Sequence, residues 1–416
     1  MPAKPRRATR PRTKKVSEEA AEALSGVAIS EDGATLEAHA AAEAIIAEEV
    51  AESEAPQEQA AGTAWSPTRG GWIARRLVAG AIIAIGILAP LRVSETEQLD
   101  AISLALIYVM VGLSINVLMG YLGQISLGHQ AFVGVGAFTA ARLASKAGAP
   151  FIVNIVAAGI SGAVAAMLLG VVALRLKGLY LALITLAYGT VAADTIFNTP
   201  AITGGGAGAQ AIRPGFMDGD RAFIYVCMLV VALFLYFDWR MVRSKVGRAI
   251  FAIRENELAA ASFGINVTVY KLVAFVLSGI MAGIAGALFG YRVESVDAGN
   301  FDFALALTFV LMVVVGGLGS RVGVFIGSAF FALIDLLIHS LFGTAFGKWL
   351  AQVSFIAQLE IYPQFIGAML LLLTLTLAPG GIAQQIRPVT NWLSGKRFRE
   401  RHGTVAIREG GAGVRP

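Results

Sequence analysis

WRMVRSKVGRAIFAIRENELAAASFGINVTVYK, residues 239–271, is the one long charged segment set between strongly apolar runs. It carries Arg240, Arg243, Lys245, Arg248, Arg254 and Lys271 against Glu255 and Glu257. Before it stands FIYVCMLVVALFLYF (223–237), and after it LVAFVLSGIMAGIAGALFG (272–290). Lys and Arg concentrate in the cytoplasmic connections of membrane proteins, so the segment reads as a cytoplasmic loop between two spans. It also has the makings of a helix. Residues 249–262 are rich in helix formers, and Gly264 stands where a left-handed cap would end the run. Ile250, Ile253, Leu258 and Ala261 interleave there with Arg254, Glu255 and Glu257. That pattern suits a partner's groove, and it equally suits a helix resting on lipid headgroups.

Working outward, the composition is that of a membrane protein. Hydrophobic residues make up 56% of 416 and charged residues 15%, more apolar than a soluble domain. Apolar runs recur at 73–91, 99–119, 123–144, 151–174, 178–197, 222–238, 269–290, 303–319, 322–342 and 361–379. Each is near the about 20 residues that cross a bilayer, which predicts an all-α polytopic protein of about ten transmembrane helices. With both termini cytoplasmic, the inner connections would hold Arg175, Lys177, the 239–268 cluster, Arg321 and the basic C-terminal tail (386–416). Glu95, Glu97, Asp218, Asp220, Glu294, Asp297, Asp302 and Glu360 would fall outside. Positive-inside and an even span count therefore agree.

Residues 1–15 are basic, while residues 16–62 hold twelve of the 28 acids and no Lys or Arg. Too little apolar surface is present to fold, so residues 1–72 are predicted to be a disordered cytoplasmic extension. The pI near 9.3 is explained by loops and tails rather than by a nucleic-acid module. Cys227 is the chain's one cysteine and sits in an apolar run, which leaves no disulfide or cysteine metal cluster.

Two glycine patterns stand out. Gly279, Gly283, Gly286 and Gly290 form a small-residue stripe for close helix packing. In GYLGQISLGHQAFVGVGAF (120–138), glycines surround Gln124, Ser126 and His129. A broken helix lining a pathway fits this segment, and so does a turn whose polar side chains cap helix ends. Asn116, Gln124, Ser126, His129 and Thr185, polar groups in apolar spans, are the candidates for a substrate path; bonding a neighbouring helix is their other role.

Three segments, in order, resemble the LivM-type permease subunit of branched-chain amino acid ABC importers. They are NVLMGYLGQISLGHQAFVGVGAFTAA (116–141), GLYLALITLAYGTVA (178–192) with ITGGGAGAQAI (202–212), and SKVGRAIFAIRENELAAASFGINVTVYKLVAFVLSGIMAGIAGALFG (244–290). The resemblance covers roughly 75–385 and implies a permease domain over 73–385 in a bacterial inner membrane. It implies as partners a homologous LivH-type permease, two cytoplasmic ABC ATPase subunits and a periplasmic substrate-binding protein. ATP and Mg would be bound by the ATPases, with no cofactor on this chain. In that family the loop after the sixth run docks into the ATPase. The matching positions here are Arg248, Ile253, Arg254, Glu255, Ala259, Ala260, Gly264, Ile265 and Lys271. Asn256 stands where members commonly carry an acid, and the long acidic extension has no counterpart. Relatives that move urea or short amides keep those solutes open as alternatives.

Other classes find less support. GTAFGKW (343–349) lacks the Ser/Thr and the glycine spacing of a phosphate-binding loop. A proton-coupled transporter would draw on Asp335 and His339, which share a helix face at i and i+4. The four histidines show no metal spacing, and no nucleophile elbow or paired mid-membrane carboxylates point to catalysis. Thr203 and Gly204–Gly206 read either as a contact for the binding protein or as an ordinary outer turn.

Overall fold

The computed structural model describes residues 95–343 apart from 175, 177 and 204–207, with a few isolated positions upstream and Met369. At 201, 202, 335 and 337–343 only the backbone is described. The expected extension 1–72, the tail 386–416 and the runs at 73–91 and 361–379 lie largely outside the described residues.

Within them the chain is helical. In order come α1 (Thr96–Ile115), α2 (His129–Ala147), α3 (Phe151–Ala173), α4 (Leu179–Val191), α5 (Asp220–Arg243), α6 (Lys245–Glu255), α7 (Glu257–Ser262), α8 (Val267–Val293), α9 (Phe303–Gly316) and α10 (Arg321–Gly343). α1 runs on into the π-helical Asn116–Leu122, and α4 into the π-helical Ala192–Ile196. Eight of these helices fall on the predicted runs. Six spans among the described residues are long and apolar enough to cross a bilayer. One boundary is corrected: the run at 123–144 becomes helical only from His129, and 123–128 stay irregular.

The ends follow local chemistry. Asp220 opens α5 and Arg240 and Arg243 close it, each charge facing the favourable pole of the helix dipole. Asn266 caps α8 by accepting from Val269 N at 3.2 Å, and Asp302 caps α9 by accepting from Leu305 N at 2.8 Å.

Packing is concentric. The most apolar stretch of α1 is 89% buried, whereas those of α4 and α5 are 33% buried, so α1 is the core and the latter two face outward. α8 packs most extensively on α3 and α2. The glycine stripe makes this possible: a Cβ on Gly279 or Gly283 would strike the carbonyl oxygens of Gly162 or Ala158 on α3. One on Gly286 would strike the carbonyl of Val133 on α2. Lipid offers apolar helices no hydrophobic drive to associate, so backbone approach through small residues carries the packing.

Contacts between connections show that successive spans alternate in direction. Arg254 reaches Gly120, Gly319 N reaches Asn116, and Asp238 pairs with Arg321 at one end. At the other end β1 (Ala209–Gln210) pairs antiparallel with β2 (Ser295–Val296), and Arg292 pairs with Asp100. These are the two groups that the positive-inside reading separates.

Candidate functional site

The 239–271 loop folds, but not as the single helix expected over 249–262. α6 starts earlier, at Lys245, where Ser244 Oγ accepts from Gly247 N at 3.3 Å. It stops at Asn256, whose backbone is extended (φ −159°, ψ 112°). The Asn256 side chain then accepts from Leu258 N and Ala259 N, both at 3.0 Å, and so opens α7. An Asn or Asp is a strong N-cap, and this competing local bond is what breaks the run. Gly264 has φ +80°, and Ile265 N returns to Ala260 O at 3.1 Å, which is the expected left-handed cap.

The two helices face different ways. Ile250 and Ile253 on α6 are 0% and 2% exposed, and Phe251 meets the Tyr121 ring at 5.3 Å. Arg254 donates to Gly120 O at the end of the α1 π segment. The expectation that Ile250 and Ile253 lie toward a partner is therefore corrected: they pack on the chain's own spans. On α7, Leu258 is 83% exposed and the following Phe263 is 85% exposed. Ala260 alone turns inward.

The nine predicted coupling positions divide accordingly. Arg248, Glu255, Ala259 and Gly264 are exposed, Arg248 donating to Arg243 O at 3.0 Å. Ile253, Ala260 and Lys271 are buried, and Ile265 is half-buried. Arg254, though exposed, is tied to α1. Lys271 forms an ion pair with Glu257, joining the first residue of α7 to the start of α8. Phe263 was missed by sequence reasoning, because nothing but the fold separates an exposed Phe from a buried one.

The five candidate path residues gather round the irregular 123–128 connector, and all are buried. Asn116 Oδ1 accepts from Gly319 N at 2.8 Å. Thr185 Oγ1 accepts from Leu127 N and donates to Ala182 O, both at 2.9 Å. His129 Nε2 lies 2.9 Å from Ser278 Oγ, which donates to Ser114 O at 3.0 Å. Gln124 Oε1, Ser126 Oγ and both amide atoms of Gln130 have no hydrogen-bond partner among the described residues. The cap at Gly128 uses no side chain. Thr203, by contrast, is buried and donates to Phe197 O at 2.6 Å, the ordinary turn. Gly204–Gly206 and the side chains of Asp335 and His339 lie outside the described residues.

A family model described as the permease component of branched-chain amino acid transport systems matches residues 98–374, well over half the chain. This chain belongs to that permease family.

Its relatives include the high-affinity branched-chain amino acid transport system permease proteins LivM of Salmonella typhimurium strain LT2 and Escherichia coli strain K12. Each is 34% identical over 287 residues, covering 62% of this chain and 67% of the relative. A probable LivH permease of Methanocaldococcus jannaschii is 30% identical over 165 residues, 39% of this chain and 49% of its own. No solved structure gives a significant match. The family model takes in the connector, the loop and the two fastened ends of the permease.

Those ends are held by ion pairs in which Asp238 and Arg213 were not singled out from the sequence. At the loop end, Asp238 is fully buried and pairs with Arg321, while Tyr121 Oη donates to its Oδ2 at 3.1 Å. At the opposite end Arg213 bonds Tyr291 O at 2.8 Å and Asp220 Oδ1 at 3.0 Å, and lies 3.4 Å from Glu294. A chain of multi-pass membrane architecture is thus tied at both ends by ion pairs.

Proposed function

We propose that this chain is one of two permease subunits of an ATP-driven importer, supplying half the path for branched-chain or other hydrophobic amino acids and no chemistry. On this reading the loop end is cytoplasmic, both termini are cytoplasmic and the membrane is the bacterial inner membrane. Two ATPase subunits hold ATP and Mg, a LivH-type permease completes the path, and a periplasmic binding protein delivers the solute.

The observation that carries the coupling half is α7. It presents Leu258 and Phe263 outward while Glu257–Lys271 and Arg254–Gly120 fasten the loop to α8 and α1. A partner that grips those two side chains moves a rigid lever and not a slack loop. Such motion biases access only if the partner binds the two states differently. Asn116, Gln124, Ser126, His129 and Thr185, at the inner end of α1, α2 and α4, are the proposed solute-sensitive groups. The names of the LivM relatives support the amino-acid assignment.

The test is uptake by proteoliposomes holding this chain with its ATPases, second permease and binding protein. ATP-dependent leucine uptake that is lost in Leu258→Asp/Phe263→Asp supports the proposal. Uptake of urea without leucine would overturn the substrate, and uptake by the lone chain under a pH gradient would overturn the mechanism.

A further inference from the structure

A second site lies on the outward face of α5, where its last turn meets α8 and the start of α6. Leu229, Leu233, Tyr236 and Phe237 form an exposed apolar face along α5. Their spacing of four, three and one places them on one side of the helix, and α5 is among the least buried spans. In a span, such an exposed apolar side is the one suited to hydrocarbon. At its lower end the face opens into a groove of about 680 Å³ whose walls include Phe237, Val246, Val273 and Leu277. That volume lies within the about 300–1,000 Å³ of ordinary ligand pockets.

The groove is apolar along its length but basic at its mouth. Arg240 and Arg243 line it there. The Arg243 guanidinium lies over the Trp239 ring, 4.2 Å from its centroid, and Trp239 is itself stacked with Tyr236 at 6.3 Å. Stacking fixes the plane of the guanidinium fork. Neither arginine pairs with a carboxylate among the described residues. Asp238, the nearest acid in sequence, is fully buried and occupied by Arg321 and Tyr121. Lys245 and Arg248 follow within one turn or so, so the field at the mouth is positive and uncompensated.

Arginines at span ends commonly snorkel to the headgroups without holding any one lipid. Two features distinguish this place: an open groove with apolar walls, and a guanidinium stacked on Trp239 beside it. A soluble ligand would meet hydrocarbon along half the groove, and a neutral lipid would leave both arginines unanswered. We propose that the groove holds one anionic phospholipid, its acyl chain against Phe237, Val273 and Leu277 and its phosphate between Arg240 and Arg243. Basic pockets between helices at the membrane surface select such headgroups.

The test uses the full chain, purified in mild detergent and offered phosphatidylglycerol or phosphatidylcholine with identical acyl chains, with bound lipid counted by native mass spectrometry. One phosphatidylglycerol should be retained in preference to phosphatidylcholine. Arg240→Gln/Arg243→Gln should weaken it about 30-fold, the factor for two basic side chains at an anionic surface. Leu277→Trp, which fills the groove and keeps both arginines, should also lose the adduct; diffuse surface attraction would survive that change. Equal retention of both lipids, or an unchanged adduct in either variant, would overturn the site. Should the variants fail to fold, a photo-crosslinking residue at Val273 in the native membrane decides the matter. A lipid adduct supports the proposal, and an adduct with another polypeptide overturns it by making the groove a protein interface.

Discussion

α6 and α7 are consecutive helices in one loop, separated by one residue, and they treat their apolar side chains in opposite ways. α6 buries Ile250 and Ile253 against the spans and serves as a foot. α7 holds Leu258 and Phe263 away from the protein and has no intramolecular reason to do so. On the proposed function these two exposed side chains are the ones a partner covers. The difference teaches that the hydrophobic pattern of a loop helix gives amphipathicity but not its orientation; Asn256 decides which residues turn inward and which turn out.

The contrast can be attacked from its strongest side first. Ile253→Asp places a charge with no partner under α6 and should cost about 4 kcal/mol or more, read as loss of folded chain in a thermal unfolding assay in detergent. Little loss there would mean that α6 is not seated as described. Glu257→Ala comes next, since it leaves Lys271 buried with its charge unanswered, a loss of about 2 kcal/mol. Adding Lys271→Met should recover most of it, and a double-mutant cycle measures the coupling.

Asn256→Ala removes the cap that divides the two helices, at about 1 kcal/mol. Hydrogen exchange should then report a protected amide at Leu258 belonging to one continuous helix, whereas Asn256→Asp should keep the break. The smallest effect on stability belongs to the pair proposed as the partner contact. Leu258→Asp and Phe263→Asp should each change stability by less than about 0.5 kcal/mol, as exposed substitutions do, while abolishing ATP-driven uptake in the assembled importer. A stability loss as large as that of Ile253→Asp would place α7 inside the fold.

Much of this was legible in the sequence. Eight of the ten apolar runs, the basic loop and Gly264 as a left-handed cap all depend on short-range rules, and they reappear among the described residues. The glycine stripe on α8 was readable as a packing face because small residues have little other use there. What escaped needed the third dimension. Asp238 adjoins the 239–271 loop, and its role depends on Arg321, 83 residues later in the chain, which no local pattern brings to it. The break near Gln124, Ser126 and His129 was expected from its glycines, but its bounds were not, because Ile125 and Leu127 keep 123–128 apolar enough to be counted with the following run. Arg213, Arg221 and Arg292 run against the charge bias of the other end; two of them are answered by Asp220, Glu294 and Asp100, a cancellation invisible without coordinates.

The central claim is that the tip of α7, and not the face of α6, is what a partner grips. Cys227 is the chain's one cysteine and is buried, so a cysteine introduced elsewhere is the reactive one. Single cysteines at Leu258, Phe263 and Ile253, cross-linked in membranes containing the co-expressed ATPase subunits, test it directly. The account predicts adducts with the ATPase from positions 258 and 263 and none from 253. Adducts from 253 alone, or none from 258 and 263 while the complex pumps, would contradict it.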